Sequence, residues 1–260
     1  MVALTDTTED RLLGGRVTIY QPTGGYRAAI DPVLLAAAIP ATRTDLVLDA
    51  GSGTGAASLA LAARVEGCQV TGLEAQAELV TLARSSARES SLSNQVSFQK
   101  GNLLSPPDTL NPGSWDHVMA NPPYLAAGHG NPPPGEAKRA ATVESDAVLN
   151  DWLGFLSVMV ADGGTITLVH RFDRVDEVIA GLGRNAEDVV VFPLWQKHQN
   201  GEAKRVIVQA RQVRRANKGE AKDGKREIRT ASGLVLHQSD GGFTTEAEAV
   251  LRDAGSLDLS

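Results

Sequence analysis

One stretch of the sequence decides the fold: Leu48-Asp49-Ala50-Gly51-Ser52-Gly53-Thr54-Gly55. An apolar run predicts a strand over 46–49, and the alanine- and leucine-rich run that follows predicts a helix over 54–64. Glycines between a strand and a helix allow a tight turn and let a ligand approach the backbone closely. Glu74 ends the next predicted strand, where an acid can accept the two hydroxyls of a ribose. The stretch therefore predicts a binding turn for an adenosyl ligand; the alternative is a generic strand–helix turn.

The alternation of strands and helices continues along most of the chain. Strands are predicted over 46–49, 70–74, 96–99, 115–120, 165–170, 189–192 and 206–210, and helices over 54–64, 76–90, 147–160 and 175–183. Such alternation is typical of an α/β fold, so we expect a doubly wound, mainly parallel seven-stranded sheet with its ligand at the carboxyl ends of the strands. Short strands and a helix beginning at Asp31-Pro32 come first. We therefore expect a short N-terminal hairpin/helix extension over 1–40 and the main domain over 41–260, which together form a single compact domain overall.

Composition excludes several classes of protein. The 260 residues are 42% hydrophobic and 22% charged, as in a typical globular chain and unlike a disordered one. The single cysteine, Cys68, cannot form an internal disulfide or a cysteine-rich zinc site. The histidines show no metal-ligand spacing, and surface or capping roles are expected for His129, His170, His198 and His237. No secretion signal is visible and no apolar run reaches about 18 residues, so we expect a cytoplasmic protein without a membrane span or a metal.

Charge is distributed unevenly along the chain. Over 204–229, ten Lys and Arg residues stand against three acids, which makes this run +7 and leaves −13 for the rest of a chain of net charge −6. The basic run is either a solvated segment or a contact for RNA phosphates. Its positive charge within an acidic chain favours the RNA contact.

Two details of the glycine turn favour S-adenosylmethionine over a dinucleotide. The dinucleotide fingerprint places its last glycine three positions after the second, whereas Gly55 follows Gly53 by two. Asp49 precedes the turn, and an anion there attracts a positively charged ligand and repels a pyrophosphate. The sulfonium and ammonium groups of S-adenosylmethionine fit that charge.

A second motif, Asn121-Pro122-Pro123-Tyr124, directly follows the strand predicted over 115–120. Two prolines stiffen the backbone and leave carbonyl groups without a neighbouring N–H. The side-chain oxygen of Asn121 and the carbonyl of Pro122 could accept from one planar NH₂ group, while Tyr124 stacks on the ring that carries it. A proline-rich turn that merely ends a strand is the alternative. Because both motifs follow strands of one parallel sheet, we expect them at the same edge.

Together the two motifs resemble the class I S-adenosylmethionine-dependent methyltransferases that modify planar nitrogens. The flanking stretches 21–36 and 234–246 resemble, within that class, the bacterial tRNA1(Val) adenine-N6 methyltransferase family, which acts on the adenine beside the anticodon. The resemblance spans about residues 11–252. It implies a Rossmann-like fold, S-adenosylmethionine as the methyl donor and tRNA, through its anticodon loop, as the partner.

The resemblance also implies roles for individual residues. The cofactor-binding set is Asp31, Asp49, Gly51, Ser52, Gly53, Gly55, Glu74, Asn102 and Asn121. The catalytic set that holds the target base is Asn121, Pro122 and Tyr124. Further predicted substrate-binding residues are Arg27 and Pro123 and, from the charge of the basic run, Arg214 and Arg215. Asn102 stands where such enzymes usually have Asp, and its amide can still accept a hydrogen bond from the adenine amine.

Two other functions remain open from the sequence. Methyltransferases for glutamine amides in release factors share Asn-Pro-Pro-Tyr, but they usually carry a helical N-terminal domain, and only about 30 residues precede Asp31 here. A non-catalytic S-adenosylmethionine- or RNA-binding module would be expected to lose Asn121 or Tyr124, and both are present. The sequence does not indicate an oligomeric state.

Overall fold

The computed structural model describes residues 7–24, 27–124, 147–213 and 227–260. The strands are β1 (Thr7–Leu12), β2 (Val17–Pro22), β3 (Leu46–Ala50), β4 (Gln69–Glu74), β5 (Val96–Lys100), β6 (Trp115–Ala120), β7 (Val160–Arg171), β8 (Ala186–Trp195), β9 (Ala203–Gln212), β10 (Ile228–Thr230) and β11 (Leu234–Val235). The helices are α1 (Asp31–Ala37), α2 (Ala56–Arg64), α3 (Ala77–Glu89), α4 (Leu149–Met159), α5 (Val175–Gly181) and α6 (Thr245–Leu251).

The central sheet has the order β10-β8-β9-β7-β6-β3-β4-β5, and β11 also pairs with β8. Strands β3 to β7 are parallel to one another, and β9 is antiparallel to both β7 and β8. The predicted α/β fold with a mainly parallel sheet is confirmed. The sheet has nine strands rather than the seven predicted. The two additional strands, β10 and β11, are three and two residues long, which is too short to produce a periodic sequence pattern.

The N-terminal hairpin and helix pack against the sheet's helical layer. Strands β1 and β2 form an antiparallel pair, and the Tyr20 amide on β2 donates to the Ser86 hydroxyl on α3 at 2.9 Å. Helix α1 is almost entirely buried and shares one apolar core with α2 and α6. Leu34 of α1, Leu61 of α2 and Val250 of α6 all belong to this core. The division into an extension over 1–40 and a main domain over 41–260 stays a prediction.

Strand β9 changes the interpretation of the basic run 204–229. It runs antiparallel to β7, with Arg205 opposite Arg171 at the carboxyl end of β7 and Arg211 opposite Thr165 in the middle of β7. Residues 204–212 are therefore part of the sheet, and Val206, Ile207 and Val208 in their middle are fully buried. The interpretation of this part as a solvated segment was wrong, because it is a strand with a buried middle; an RNA contact by the exposed Lys204 and Arg211 stays a prediction. Residues 214–226, which include Arg214 and Arg215, lie outside the described residues.

Candidate active site

The two predicted motifs line one cavity at the carboxyl edge of β3, β4, β5 and β6. The cavity has a volume of about 360 Å³. Its lining includes Asp49, Gly51, Ser52, Gly53, Glu74, Gln76, Asn102, Asn121, Pro122, Pro123, Tyr124 and Trp152. The parallel strands end at the same edge, so the expectation that both motifs meet there is confirmed.

The glycine turn needs glycine at particular positions. Gly51 has φ +70°, and a Cβ on it would lie 2.5 Å from the ring of Trp152 on α4. Gly55, which precedes α2, has φ +88°, and its Cβ would lie 2.6 Å from the ring of Phe98. The amides of Gly51 and Ser52 donate to the carbonyl of Leu73 at 2.8 and 3.0 Å, which ties the turn to β4. Gly55 therefore supports the turn from behind, outside the cavity lining.

Two buried carboxylates flank this turn. Asp49 is 2% exposed and accepts a hydrogen bond from the Ser58 hydroxyl at 2.6 Å. Burial raises the pKa of Asp49 to about 7; the Ser58 hydrogen bonds oppose the rise and the nearby charge of Glu74 adds to it. A cationic ligand would relieve the cost of burying this carboxylate.

Glu74 is held by the backbone. One of its oxygens accepts from the Gly53 amide at 3.0 Å and the other from the Gln76 amide at 2.9 Å. Burial raises the pKa of Glu74, and these backbone donors offset part of that rise. Each carboxylate oxygen has two lone-pair sites, so both oxygens retain the capacity to accept one more donor.

At the other end of the cavity, one hydroxyl joins the Asn121-Tyr124 motif to the start of α1. The Tyr124 hydroxyl lies 2.7 Å from Asn121 Oδ1 and 2.7 Å from Asp31 Oδ2. Asp31 is not among the described residues that line the cavity. The family resemblance implies a place for Asp31 near the cofactor, which stays a prediction; in the structure its carboxylate contacts the tyrosine of the second motif.

Two residues that contact Tyr124 had no predicted role at the site. Arg205, at the start of β9, places its guanidinium 4.2 Å from the centre of the Tyr124 ring and its Nε 3.2 Å from Asp31 Oδ2. His170, at the end of β7, meets the same ring edge-on, with ring centres 5.6 Å apart. Antiparallel β9 brings Arg205 to this edge, and sequence patterns do not report strand direction.

His170 has no exposed surface, so the surface or capping role expected for it was wrong. Burial and the nearby charge of Arg174 lower the pKa of His170 to about 4, which makes the ring neutral near pH 7. Residues 166–169, which precede it, are also fully buried, so both faces of this part of β7 are covered. A strand covered on both faces leaves no exposed position for His170, and its nearly continuous apolar residues were the sequence signal for that.

The remaining predicted residues lie at different distances from the cavity. Asn102 lines it but is exposed, and its Oδ1 already accepts from the Leu104 amide at 2.9 Å. Arg27 is exposed, pairs with Asp10 at 2.5 Å and is not among the described residues that line the cavity. Across the ranges that the structure describes, no three His, Cys, Asp or Glu side chains are grouped to hold a metal ion. The same ranges contain no helix with the length and apolarity needed to cross a membrane.

Comparisons with known proteins point to one class of enzyme. Residues 47–130 match the family model described as a methyltransferase domain. Over 220 residues the chain is 26% identical to the tRNA1(Val) (adenine(37)-N6)-methyltransferase of Aeromonas hydrophila, covering 84% of this chain and 85% of that protein. Over 148 residues it is 32% identical to the release factor glutamine methyltransferase of Vibrio cholerae, covering 53% of this chain and 50% of that protein.

A solved structure gives the fold independently. The crystal structure of a predicted O-methyltransferase from Agrobacterium tumefaciens matches with a TM-score of 0.68 at 22% identity, over 88% of this chain and 98% of that one. The methyltransferase-domain match begins in β3 and includes the glycine turn, Glu74 and the Asn121-Tyr124 motif. The family match and the relatives identify this chain as an S-adenosylmethionine-dependent methyltransferase with a Rossmann-like fold.

Proposed function

We propose that this chain methylates the exocyclic N6 of an adenine in the anticodon loop of a tRNA. The observation that carries this proposal is the extent of the likeness to the tRNA1(Val) enzyme, which covers 84% of this chain and 85% of the relative. The Asn121-Pro122-Pro123-Tyr124 turn at the cavity edge supplies the chemistry for a planar amine. Unstacking an adenine costs about a few kcal/mol, and this cost is lowest for a base that is already single-stranded, as in a loop.

The residues of the cofactor half fit S-adenosylmethionine. When bound, this cofactor supplies a methyl group on a sulfonium, ready for in-line attack by a nucleophile. The buried Asp49 carboxylate and the backbone of Gly51 and Gly53 hold the cationic methionine part, and Glu74 uses its remaining lone pairs for the ribose hydroxyls. Asn102, with one lone pair of Oδ1 already engaged, has a second for the adenine amine.

The acceptor half orients the nucleophile. Asn121 Oδ1 and the Pro122 carbonyl accept the two N–H bonds of the target amine, and Tyr124 stacks on the adenine. An aromatic amine is a weak nucleophile because its lone pair is conjugated with the ring, and two acceptors favour the pyramidal nitrogen that attacks. Methyl transfer leaves a positive charge on the nitrogen, so its hydrogen-bonded proton becomes acidic and leaves to water. Alignment of the target amine and stabilisation of the charge that develops on it account for the rate enhancement.

Mass spectrometry of total tRNA nucleosides tests the proposal. Cells that lack the gene should lose N6-methyladenosine from one tRNA, wild-type protein should restore it, and Asn121→Ala should not. The same tRNA, transcribed without modification, should accept a labelled methyl group from the purified protein. An unchanged N6-methyladenosine content in the deletion strain would refute the proposal.

A second function, methylation of a glutamine amide in a release factor, is favoured by the 32% identity to the Vibrio cholerae enzyme. A glutamine amide is also a planar NH₂ group that two oxygens can hold. That likeness covers 50% of the relative, against 85% for the tRNA enzyme. Unmodified release factor and unmodified tRNA, supplied together with labelled methyl donor, would divide the label according to the true acceptor.

A further inference from the structure

We propose that Arg205 is a positioning residue for the acceptor half of the cavity, acting through Asp31 and Tyr124. The inference rests on the proposed function, because it names what holds the residues that receive the planar amine. Arg205 contacts both partners: Nε lies 3.2 Å from Asp31 Oδ2, and the guanidinium carbon lies 4.2 Å from the centre of the Tyr124 ring.

Two acceptors among the described residues face the Tyr124 hydroxyl, which carries one proton. Asn121 Oδ1 and Asp31 Oδ2 both lie 2.7 Å from the hydroxyl oxygen, so the proton can point to only one of them at a time. When it points to Asn121, it uses a lone pair on the oxygen that the target amine needs. When it points to Asp31, that oxygen has both lone pairs free. With Asp31 as the alternative acceptor, the Tyr124 hydroxyl can stop donating to Asn121 and still make a hydrogen bond.

Arg205 keeps this alternative acceptor in place. The Asp31 and Arg205 side chains are 15% and 31% exposed, so the pair is better shielded from water than the Arg171–Asp173 pair nearby, at 37% and 59%. The planar guanidinium also packs over the Tyr124 ring, an arrangement suited to arginine because it can pair and stack at once. Arg205 thus restrains both the Asp31 carboxylate, which accepts the hydrogen bond of the hydroxyl, and the Tyr124 ring, which stacks on the base.

The neighbouring arginine offers a matched control. Arg171 lies directly opposite Arg205 on β7 and forms its own ion pair with Asp173. Arg205→Met should lower kcat on unmodified tRNA by about tenfold to a hundredfold, the range expected when acceptor groups lose alignment, and should change the Kd for S-adenosylmethionine by less than about twofold. Arg171→Met should change neither quantity.

Conservative variants separate positioning from a general structural role. Arg205→Lys keeps a cation over the ring but loses the planar contact with Asp31, so it should recover part of the lost kcat. Asp31→Asn should lower kcat as Arg205→Met does, and the double variant should be no worse than either single variant, because all act through one network. A kcat within about twofold of wild type in Arg205→Met, or additive losses in the double variant, would overturn the proposal.

A spectroscopic readout does not depend on the acceptor. The chain has three tyrosines, so fluorine NMR of 3-fluorotyrosine-labelled protein gives few resonances, and Tyr124→Phe identifies the one from Tyr124. That resonance should shift in Arg205→Met and in Asp31→Asn but not in Arg171→Met. If wild-type protein methylates no tRNA, the proposed function fails while the shifts still report on the network. If the resonance does not move, the positioning role fails whatever the substrate.

Discussion

The cofactor half of the cavity, around Asp49 and Glu74, takes its functional groups from two adjacent strands and the glycine turn. The acceptor half, around Tyr124, takes them from four separate elements. In the first half, backbone amides hold the carboxylate of Glu74. In the second half, side chains hold one another, and the contacts join residues 93 and 174 positions apart. The cofactor half therefore depends mainly on residues close to one another along the chain, whereas the acceptor half forms only once the sheet has assembled.

The largest effect expected from this division concerns Asn121. Asn121→Ala removes an oxygen that orients the acceptor and leaves the carboxylates of the cofactor half untouched. Turnover should fall by about 10²-fold or more with little change in cofactor affinity. Steady-state methyl transfer together with calorimetry of cofactor binding measures both. Near-normal turnover would remove Asn121 from the acceptor site, and a parallel loss of cofactor affinity would show that the two halves are not separate.

Glu74→Ala makes the converse test on the cofactor half. Its loss leaves two ribose hydroxyls imperfectly paired, which should weaken S-adenosylmethionine binding by about 1–3 kcal/mol. Turnover at saturating cofactor should fall much less than the affinity does. Glu78, in the first turn of α3, provides a control carboxylate outside the cavity lining. Equal affinities for wild type and Glu74→Ala would exclude Glu74 from the site.

Two glycines of the turn distinguish conformational strain from a steric clash. Gly51 and Gly53 have φ +70° and +56°, so alanine at either position should cost about 1–2 kcal/mol of stability. A Cβ at Gly51 also meets the Trp152 ring at 2.5 Å, whereas nothing lies within 4 Å of a Cβ at Gly53. Gly51→Ala should therefore be the more destabilising variant in urea denaturation. Equal losses would mean that the Trp152 ring moves aside freely.

The pKa of Asp49, about 7, predicts a pH dependence confined to the cofactor half. Below that pH the free protein binds a proton that a cationic ligand must displace, so cofactor affinity should rise about tenfold from pH 6 to pH 8. Stability of the free protein should change in the opposite sense: the folded state keeps this proton between about pH 4 and 7 while the unfolded state has lost it, so stability falls as pH rises. Asp49→Asn should flatten both profiles.

The smallest effect on turnover is expected from substitution of the basic residues that follow β9. The described residues on either side of 214–226 are Val213, which donates to the carbonyl of Asn185, and Glu227, which accepts from the amide of Val189, both at the sheet edge opposite the cavity. Replacing Arg214, Arg215, Lys218 and Lys222 by Gln should weaken tRNA binding and reduce its log–log salt slope by up to about 0.7–0.9 per lost phosphate contact. Turnover at saturating tRNA should not change. An unchanged slope would contradict the RNA contact predicted for Arg214 and Arg215.

The sequence predicted the part of the site that depends on neighbours along the chain. Alternating strands and helices indicate a parallel sheet, and a parallel sheet brings the ends of β3, β4 and β6 to one edge. The glycine turn, Glu74 and the Asn121-Tyr124 motif could therefore be placed together before any contact was known. Three- and two-residue strands such as β10 and β11 carry too few residues for any pattern, so the width of the sheet could not be predicted.

Tertiary structure alone decided what surrounds Tyr124. Sequence patterns report periodicity, not the direction in which a strand enters the sheet. Because β9 runs antiparallel to β7, its first residues lie at the carboxyl edge, and Arg205 reaches Asp31 and Tyr124. A parallel β9 would have placed Arg205 at the opposite edge, far from the cavity. The sequence thus determined the fold class and the residues of the two motifs, and the direction of one strand decided which arginine joins them.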